Sequence, residues 1–268
     1  MNDVTNKAGI ALVTGGAGGM GAEAARLLAE QGWPLLLCDL GAARLEAVAA
    51  PLREAGAKVE ILAGDISAPG FPAQLLDILG AREVGAMIHT AGLSPTMADG
   101  QRIMEVNYFA AERLVTMVRP KMAEYGCAVL ISSCSAYMAR GVEIDEAIAR
   151  LLAGEREAAD ALAATPQLAY PISKRAIIAL VAREAAAYGA RKARIVSISP
   201  GLIDTGMGRA EMEASEYTRT MLERTPLARQ GRPEEIASVA VFLCSEGASY
   251  VTGCDIKVDG GTLAAMGF

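Results

Sequence analysis

Short apolar runs rich in β-branched residues alternate along the chain with longer stretches in which apolar residues recur at helical spacing. The runs at 10–13, 35–38, 58–62, 86–90, 127–132, 194–199 and 254–258 are too short for helices and predict strands. Between the first two, Met20, Ala24, Leu27 and Leu28 form a stripe along one side of a helix. After the second, Leu45, Val48, Ala49 and Leu52 do the same. Strand and helix in alternation predict an α/β, Rossmann-like, doubly wound architecture: a seven-stranded parallel sheet with helices on both faces. No Ser/Gly-rich linker divides the 268 residues, so 1–268 read as a single domain. Its ligands are expected at the carboxyl ends of the strands, where the strand order reverses.

One stretch breaks the rhythm. Between Ser133 and Tyr170 lies an Ala-, Glu- and Arg-rich segment in which Ile144, Ala147, Ile148, Leu151 and Leu152 have helical spacing. Residues 137–168 therefore read as a helical insertion, serving as a lid, a substrate wall or a solvated decoration.

Composition narrows the class. Hydrophobic residues make up 52% of the chain and charged residues 21%, which is ample for a packed interior. Aromatic residues are only 4%, so Ala, Leu, Val and Ile must build that interior. No apolar run approaches the roughly 18 residues of a membrane span. The opening Met1-Asn2-Asp3-Val4-Thr5-Asn6-Lys7 lacks a signal-peptide pattern, so a cytoplasmic protein is expected. The five cysteines form no C-x-x-C pair and there is one histidine, His89, which argues against a metal centre or a disulfide framework. A net charge of −6 opposes general nucleic-acid binding, which needs a basic face.

Directly after the first strand comes Thr14-Gly15-Gly16-Ala17-Gly18-Gly19-Met20-Gly21, opening a helix. Glycines there allow positive φ, close approach of backbone to a pyrophosphate and tight helix–strand packing, while the helix start favours phosphate charge. The second strand ends in Asp39, followed by Leu40. A carboxylate at that place can accept both hydroxyls of an adenosine ribose and repels a 2′-phosphate, so NAD is expected over NADP. Gly16, Ala17 and Leu40 supply no cation for such a phosphate.

Further along, Tyr170-Pro171-Ile172-Ser173-Lys174 sets a phenol and an ammonium one helical turn apart on the same face. Reducing a carbonyl by hydride generates an alkoxide that must be protonated, and the reverse reaction needs a base. A free tyrosine, with pKa about 10, serves poorly as that base. A cation about 4 Å away at an effective dielectric near 20 contributes up to roughly 4 kcal/mol, about three pKa units. At the end of the fifth strand, the hydroxyl of Ser133 could stabilise charge on a substrate oxygen.

Taken in order, Thr14-Gly15-x-x-x-Gly19-x-Gly21, Asp39, Gly64-Asp65-Ile66, Ala91-Gly92, Asn107, Ser132-Ser133, Tyr170-x-x-x-Lys174, Pro200-Gly201-x-Ile203-x-Thr205 and Val258-Asp259-Gly260-Gly261 resemble the classical short-chain dehydrogenases/reductases over nearly the whole chain. The resemblance implies that Tyr170 is the general acid/base, that Lys174 lowers its pKa and binds the nicotinamide ribose, and that Ser133 donates to the substrate oxygen. Asn107 would support a water-linked proton relay through Lys174. It further implies a coenzyme site comprising Gly15, Gly18, Gly19, Met20, Gly21, Asp39 and Leu40, with Ala91 and Gly92 beside them. Asp65 and Ile66 would contact adenine. Pro200 and Gly201 lead to Ile203 and Thr205, which would hold the carboxamide. Two departures stand out: Thr90 occupies the family's asparagine position before Ala91-Gly92, and the interval from Ser133 to Tyr170 is long. In that interval the chain is similar to the 3α-hydroxysteroid dehydrogenase/carbonyl reductases. The family likeness also implies a homodimer or homotetramer.

The expected substrate wall draws on Ser94, Ser135, Met138, Gln167, Leu202 and Met207, with Met212 and Met221 further along. Methionines adapt to irregular apolar ligands, so the expected substrate is a hydrophobic or cyclic, steroid-like alcohol or ketone. Two other readings compete. Gly15, Gly18 and Gly21 also satisfy the pattern of nucleotide-sugar epimerases and dehydratases, which the chain length opposes. A catalytically silent dinucleotide sensor would keep the glycine loop without needing Ser133, Tyr170 and Lys174 together.

Overall fold

The computed structural model describes residues 9–160 and 163–268. The opening heptapeptide and positions 161–162 of the insertion lie outside the described residues. The chain begins with β1 (Ile10–Thr14), α1 (Gly19–Glu30), β2 (Leu35–Asp39), α2 (Ala42–Glu54), β3 (Val59–Ala63), α3 (Phe71–Leu79) and β4 (Val84–His89). Then come α4 (Gly100–Met104), a π-helical turn at Glu105–Phe109, α5 (Ala110–Val118), β5 (Met122–Ile131), α6 (Val142–Leu152), α7 (Pro166–Gly189) and β6 (Arg194–Pro200). The last elements are α8 (Gly206–Ala214), α9 (Glu216–Arg224), α10 (Pro233–Leu243), β7 (Asp255–Val258) and α11 (Thr262–Ala265).

The seven strands form one sheet in the order β3-β2-β1-β4-β5-β6-β7, and every pairing is parallel. Such strands are buried on both faces, so β1 is buried throughout and runs apolar from Ile10 to Val13 rather than alternating. Ile10 and Leu12 join a core cluster with Tyr108, Leu180 and Tyr188, while Ala11 and Val13 join another with Ala24, Leu28, Leu45 and Ile236. The expected stripes hold: Ala24 and Leu28 of α1 and Leu45 and Ala49 of α2 are buried, and Met20, Leu27, Val48 and Leu52 pack against them. Strand order reverses between β1 and β4, which opens a crevice at their carboxyl ends.

Two elements differ from the sequence pattern. The fifth strand starts at Met122 rather than at residue 127, because Met122 pairs with Val84 before an irregularity, and Cys127 then pairs with Ala86. Tyr125, in the left-handed region at φ 64°, gives this bulged segment the look of a turn. The second difference concerns the insertion. Ile148 and Leu151 of α6, and Ala158 and Ala163 beyond it, are buried in the same cluster as Ile172 and Leu180 of α7. Asp145 pairs with Arg175 at 2.5 Å, and the Leu152 carbonyl accepts from Arg183. The segment is a packed part of the interior and not a solvated decoration, and its last residues, 166–168, form the first turn of α7.

Candidate active site

The crevice between β1 and β4 holds a cavity of about 450 Å³. Its floor is the glycine loop. Gly15 has φ +71°, and a Cβ there would sit 2.5 Å from Thr90 Oγ1. A Cβ on Gly21 would overlap the Gly15 carbonyl oxygen, so this glycine lets α1 lie against the loop. Gly18 caps α1 without any side-chain hydrogen bond, and no acidic residue stands in the first turn. The helix therefore presents unpaired N–H groups and its positive end to the cavity. This cradle fits a dinucleotide pyrophosphate, with Gly18, Gly19 and Met20 along its rim.

Asp39 ends β2 with both carboxylate oxygens engaged, one accepting from Ala17 N at 3.1 Å and the other from Leu40 N at 2.8 Å. Leu40 lies exposed over the same rim. The sequence reading missed Arg44, which lines the cavity and donates to the Ala17 carbonyl at 3.0 Å. The signal was present: a cation at the start of the helix that follows the acidic residue can turn back toward the loop. Asp65 and Ile66 also line the cavity. Burial alone would raise the Asp65 carboxyl, but hydrogen bonds from Ser67 and the Arg102 guanidinium, 2.6 Å away, hold it below the usual carboxylate range. Arg102 was a second unforeseen cation.

Thr90 resolves the departure at the fourth strand. Its hydroxyl donates to the Thr14 carbonyl at 2.9 Å, tying β4 to the glycine loop as an amide could. His89 is buried beneath, its Nδ1 2.6 Å from Thr14 Oγ1, and burial pushes it down to about 3, which leaves a neutral structural imidazole. Ala91 and Gly92 line the cavity, and a Cβ on Gly92 would meet Asn107 Oδ1 at 3.2 Å and Lys174 Nζ at 3.3 Å. Those two polar atoms thus converge over bare backbone. Asn107 sits in the π-helical turn, accepts from Leu93 N at 2.7 Å, and donates to the Leu93 carbonyl and to Ser173 Oγ.

Lys174, on α7, is buried, donates to the Ile131 carbonyl at 3.0 Å, and has its Nζ 5.8 Å from the Tyr170 ring centroid. Burial pushes its ammonium down to about 8, against a smaller pull upward from Glu211. Burial pushes the Tyr170 phenol above its ordinary value, the Glu211 carboxylate adds to this, and the Ser133 hydroxyl pulls the other way. The expected lowering of the phenol is outweighed here, because desolvation penalises a phenolate more than the neighbouring groups favour it. Ser133 Oγ accepts from Ser135 N at 3.2 Å and Ser135 Oγ at 3.0 Å, which leaves its own proton free to donate. Directly before it, at the end of the same strand, the Ser132 hydroxyl donates to the Lys174 carbonyl at 2.7 Å and locks α7 to β5.

The remaining expected positions divide. Thr205 and Met207 line the cavity, and the Thr205 hydroxyl also caps α8 by accepting from Gly208 N at 3.0 Å. Pro200 is buried at the end of β6, whereas Gly201, Leu202 and Ile203 line a separate cavity of about 90 Å³ with Thr225 and Asp259. Met138 and Leu202 pack with Cys134 and Met221 in a small apolar cluster below α9. Ser94 is fully buried with its hydroxyl on Thr96 and does not itself line the cavity, and Gln167 is exposed at the start of α7.

A glycine cradle and the Asp39 carboxylate at one strand-end crevice, with a Ser–Tyr–Lys set whose lysine reaches Gly92 at the edge of that crevice, are the arrangement of a Rossmann-like oxidoreductase. Residues 9–143 match the short chain dehydrogenase family and residues 157–262 match the Enoyl-(Acyl carrier protein) reductase family. The chain belongs to the short-chain dehydrogenase/reductase family. It is 31% identical to the 3-alpha-hydroxysteroid dehydrogenase/carbonyl reductase of Comamonas testosteroni, over 96% of this chain and 97% of that protein. It is also 31% identical to a galactitol 2-dehydrogenase (L-tagatose-forming) of Cereibacter sphaeroides, over 94% and 93%. Among solved structures it is similar to the 3-alpha-hydroxysteroid dehydrogenase from Pseudomonas sp. B-0831 complexed with NADH, with TM-score 0.79 and 27% identity, covering 96% and 98% of the two chains. No helix among the described residues is long and apolar enough to cross a membrane.

Proposed function

We propose that this protein is an NAD(H)-dependent oxidoreductase that interconverts a secondary alcohol and a ketone on a largely apolar, cyclic substrate. The observation that carries this reading is the gathering of Ser133, Tyr170 and Lys174, with the Lys174 Nζ reaching Gly92 at the edge of the crevice floored by the glycine loop. NAD, when bound, supplies the acceptor or donor of the hydride. Tyr170 passes the proton to or from the substrate oxygen, and Ser133 donates its free proton to that same oxygen. Lys174 keeps a positive charge beside the phenol, stabilising phenolate as it forms, while Asn107 holds the loop over which the lysine lies. Asp39, pinned by two backbone N–H groups, faces the ribose and disfavours a 2′-phosphate, which supports NAD over NADP. The apolar cluster of Met138, Leu202 and Met221 supports a hydrophobic substrate. The family likeness supports a homo-oligomer built from single-domain subunits.

The test is Tyr170→Phe, assayed by NADH formation with cyclohexanol and related cyclic alcohols beside an NADH binding titration. Turnover should fall at least about 100-fold, the lower end for a positioned acid/base group, with NADH affinity nearly intact. A variant retaining more than about a tenth of the native rate would remove Tyr170 from the chemistry.

A further inference from the structure

On the wall of the large cavity an arginine from a distant part of the chain closes on an acidic side chain. Asp65 and Arg102 both line that cavity, and the guanidinium donates to one Asp65 carboxylate oxygen at 2.6 Å. Its other terminal nitrogen donates to Ser67 Oγ at 2.6 Å. Ser67 in turn donates its N–H at 2.9 Å and its hydroxyl at 2.6 Å to the second Asp65 oxygen. Local structure holds both ends: Asp65 and Ser67 form a tight turn after β3, and Arg102 stands in the first turn of α4, where its N–H donates to the capping Asp99 at 2.8 Å. Stability does not account for the pair. The Arg102 and Asp65 side chains are 39% and 33% exposed, and an ion pair that open to water adds little to the fold. What the pair does present is an acceptor and a donor side by side. The carboxylate, held ionised, only accepts, and the guanidinium only donates, with N–H groups to spare beyond the two in use. Leu40, Ile66 and Phe71 line the same cavity, so this polar pair has apolar surroundings, which suits a flat ring with a polar edge.

We propose that Asp65 and Arg102 together read the base of the dinucleotide and make the coenzyme site specific for adenine, with Asp65 accepting from the 6-amino group and Arg102 donating to the adjoining ring nitrogen N1. The proposal rests on the dinucleotide-dependent reading and deepens it by adding a determinant, Arg102, that lies outside the glycine loop, Asp39 and the Gly64-Asp65-Ile66 segment. An amino donor beside an accepting ring nitrogen is the complement of a carboxylate beside a guanidinium. Hypoxanthine reverses both groups. Its 6-oxygen would face the carboxylate, and its protonated N1 would face the guanidinium, so each contact sets like against like. With the ribose at Asp39, the base enters from one direction and cannot present its edge in the opposite order. A bound base also covers the pair and excludes water from it, which strengthens each of these contacts.

The experiment is a calorimetric titration of the native protein, Arg102→Leu, Arg102→Lys and Asp65→Asn with NAD and with nicotinamide hypoxanthine dinucleotide. The native protein should bind NAD more tightly by about tenfold or more, the order of a bidentate contact against the wrong base. That ratio should fall severalfold in Arg102→Leu. It should fall less in Arg102→Lys, which keeps a donor and loses the planar fork. In Asp65→Asn it should drop to near one, because the amide can turn to donate to the 6-oxygen. A structural role for Arg102 would weaken both dinucleotides together and leave the ratio where it was, which overturns the proposal. Tight and equal binding of the two by the native protein overturns it as well, while the oxidoreductase reading stands. If the native protein binds neither, both readings fall together. Should Arg102→Leu fail to fold, Arg102→Lys decides: an unchanged ratio there removes Arg102 from base recognition.

Discussion

On one side of the cleft α1 buries Gly21, Ala24, Ala25 and Leu28, whereas on the other side α8 buries none of its residues and α9 only Met221. The side we propose for the coenzyme is mostly backbone, a glycine turn and a bare helix start, with one side chain, the Asp39 carboxylate, held by two backbone N–H groups. The side we propose for the substrate is made of side chains, such as Met207 and Met221, carried on the mostly exposed α8 and α9. Backbone geometry restricts which residues can stand at a position, and an exposed side chain hardly does. The coenzyme side should therefore be brittle to small substitutions, and the substrate side should respond by changing what it binds.

The largest break should come from Gly21→Ala. A methyl group there overlaps the Gly15 carbonyl, and forcing it into packed structure costs about 1–3 kcal/mol. The loop must shift to relieve it, so NADH affinity should fall at least tenfold in a fluorescence titration, and the melting temperature should drop. An undiminished NADH affinity would show that the loop tolerates the methyl group and that the contrast between the two sides is misdrawn. A smaller effect is expected from Asp39→Ala, which removes the ribose acceptor and leaves Arg44 beside the same rim. NAD should weaken by about tenfold while NADP binds better, since losing one charge removes both attraction and repulsion. Equal NAD-to-NADP ratios of kcat/KM before and after the change would discard Asp39 as the selector.

The subtlest test is a pH profile. Burial pushes the Lys174 ammonium down from its ordinary value of 10.5 to about 8. Its positive charge is present below that pH and lost above it, so ketone reduction should decline as pH rises through about 8. Lys174→Arg carries a guanidinium that keeps its charge, and the decline should move to higher pH, even if the overall rate drops. A break that stays near 8 in the variant would belong to another group.

The difference between the two sides also explains what could be read from residues alone. Strands and glycine loop were legible because parallel strands buried on both faces leave continuous apolar runs, and a tight turn leaves glycine. Thr14, Gly15 and Asp39 fall where the pattern put them. The early start of β5 was masked by Tyr125-Gly126, whose bulge mimics a chain reversal. The pairing of Asp65 with Arg102 joins positions far apart in sequence, and no local periodicity reveals it. Tyr170 shows the same limit in energetic form. Spacing gives a lysine one turn away, but how strongly burial opposes the charged phenol depends on α8 and on Ser133, which only the folded chain brings together.

The packing of α6 has one more consequence. Because Ile148 and Leu151 complete the same apolar interior as Ile172 and Leu180, the inserted segment and the helix bearing Tyr170 share a fate on opening. Amide exchange in the two should slow and quicken as one cooperative unit. Grafting such a segment onto a relative would require carrying the face of α7 that packs against it.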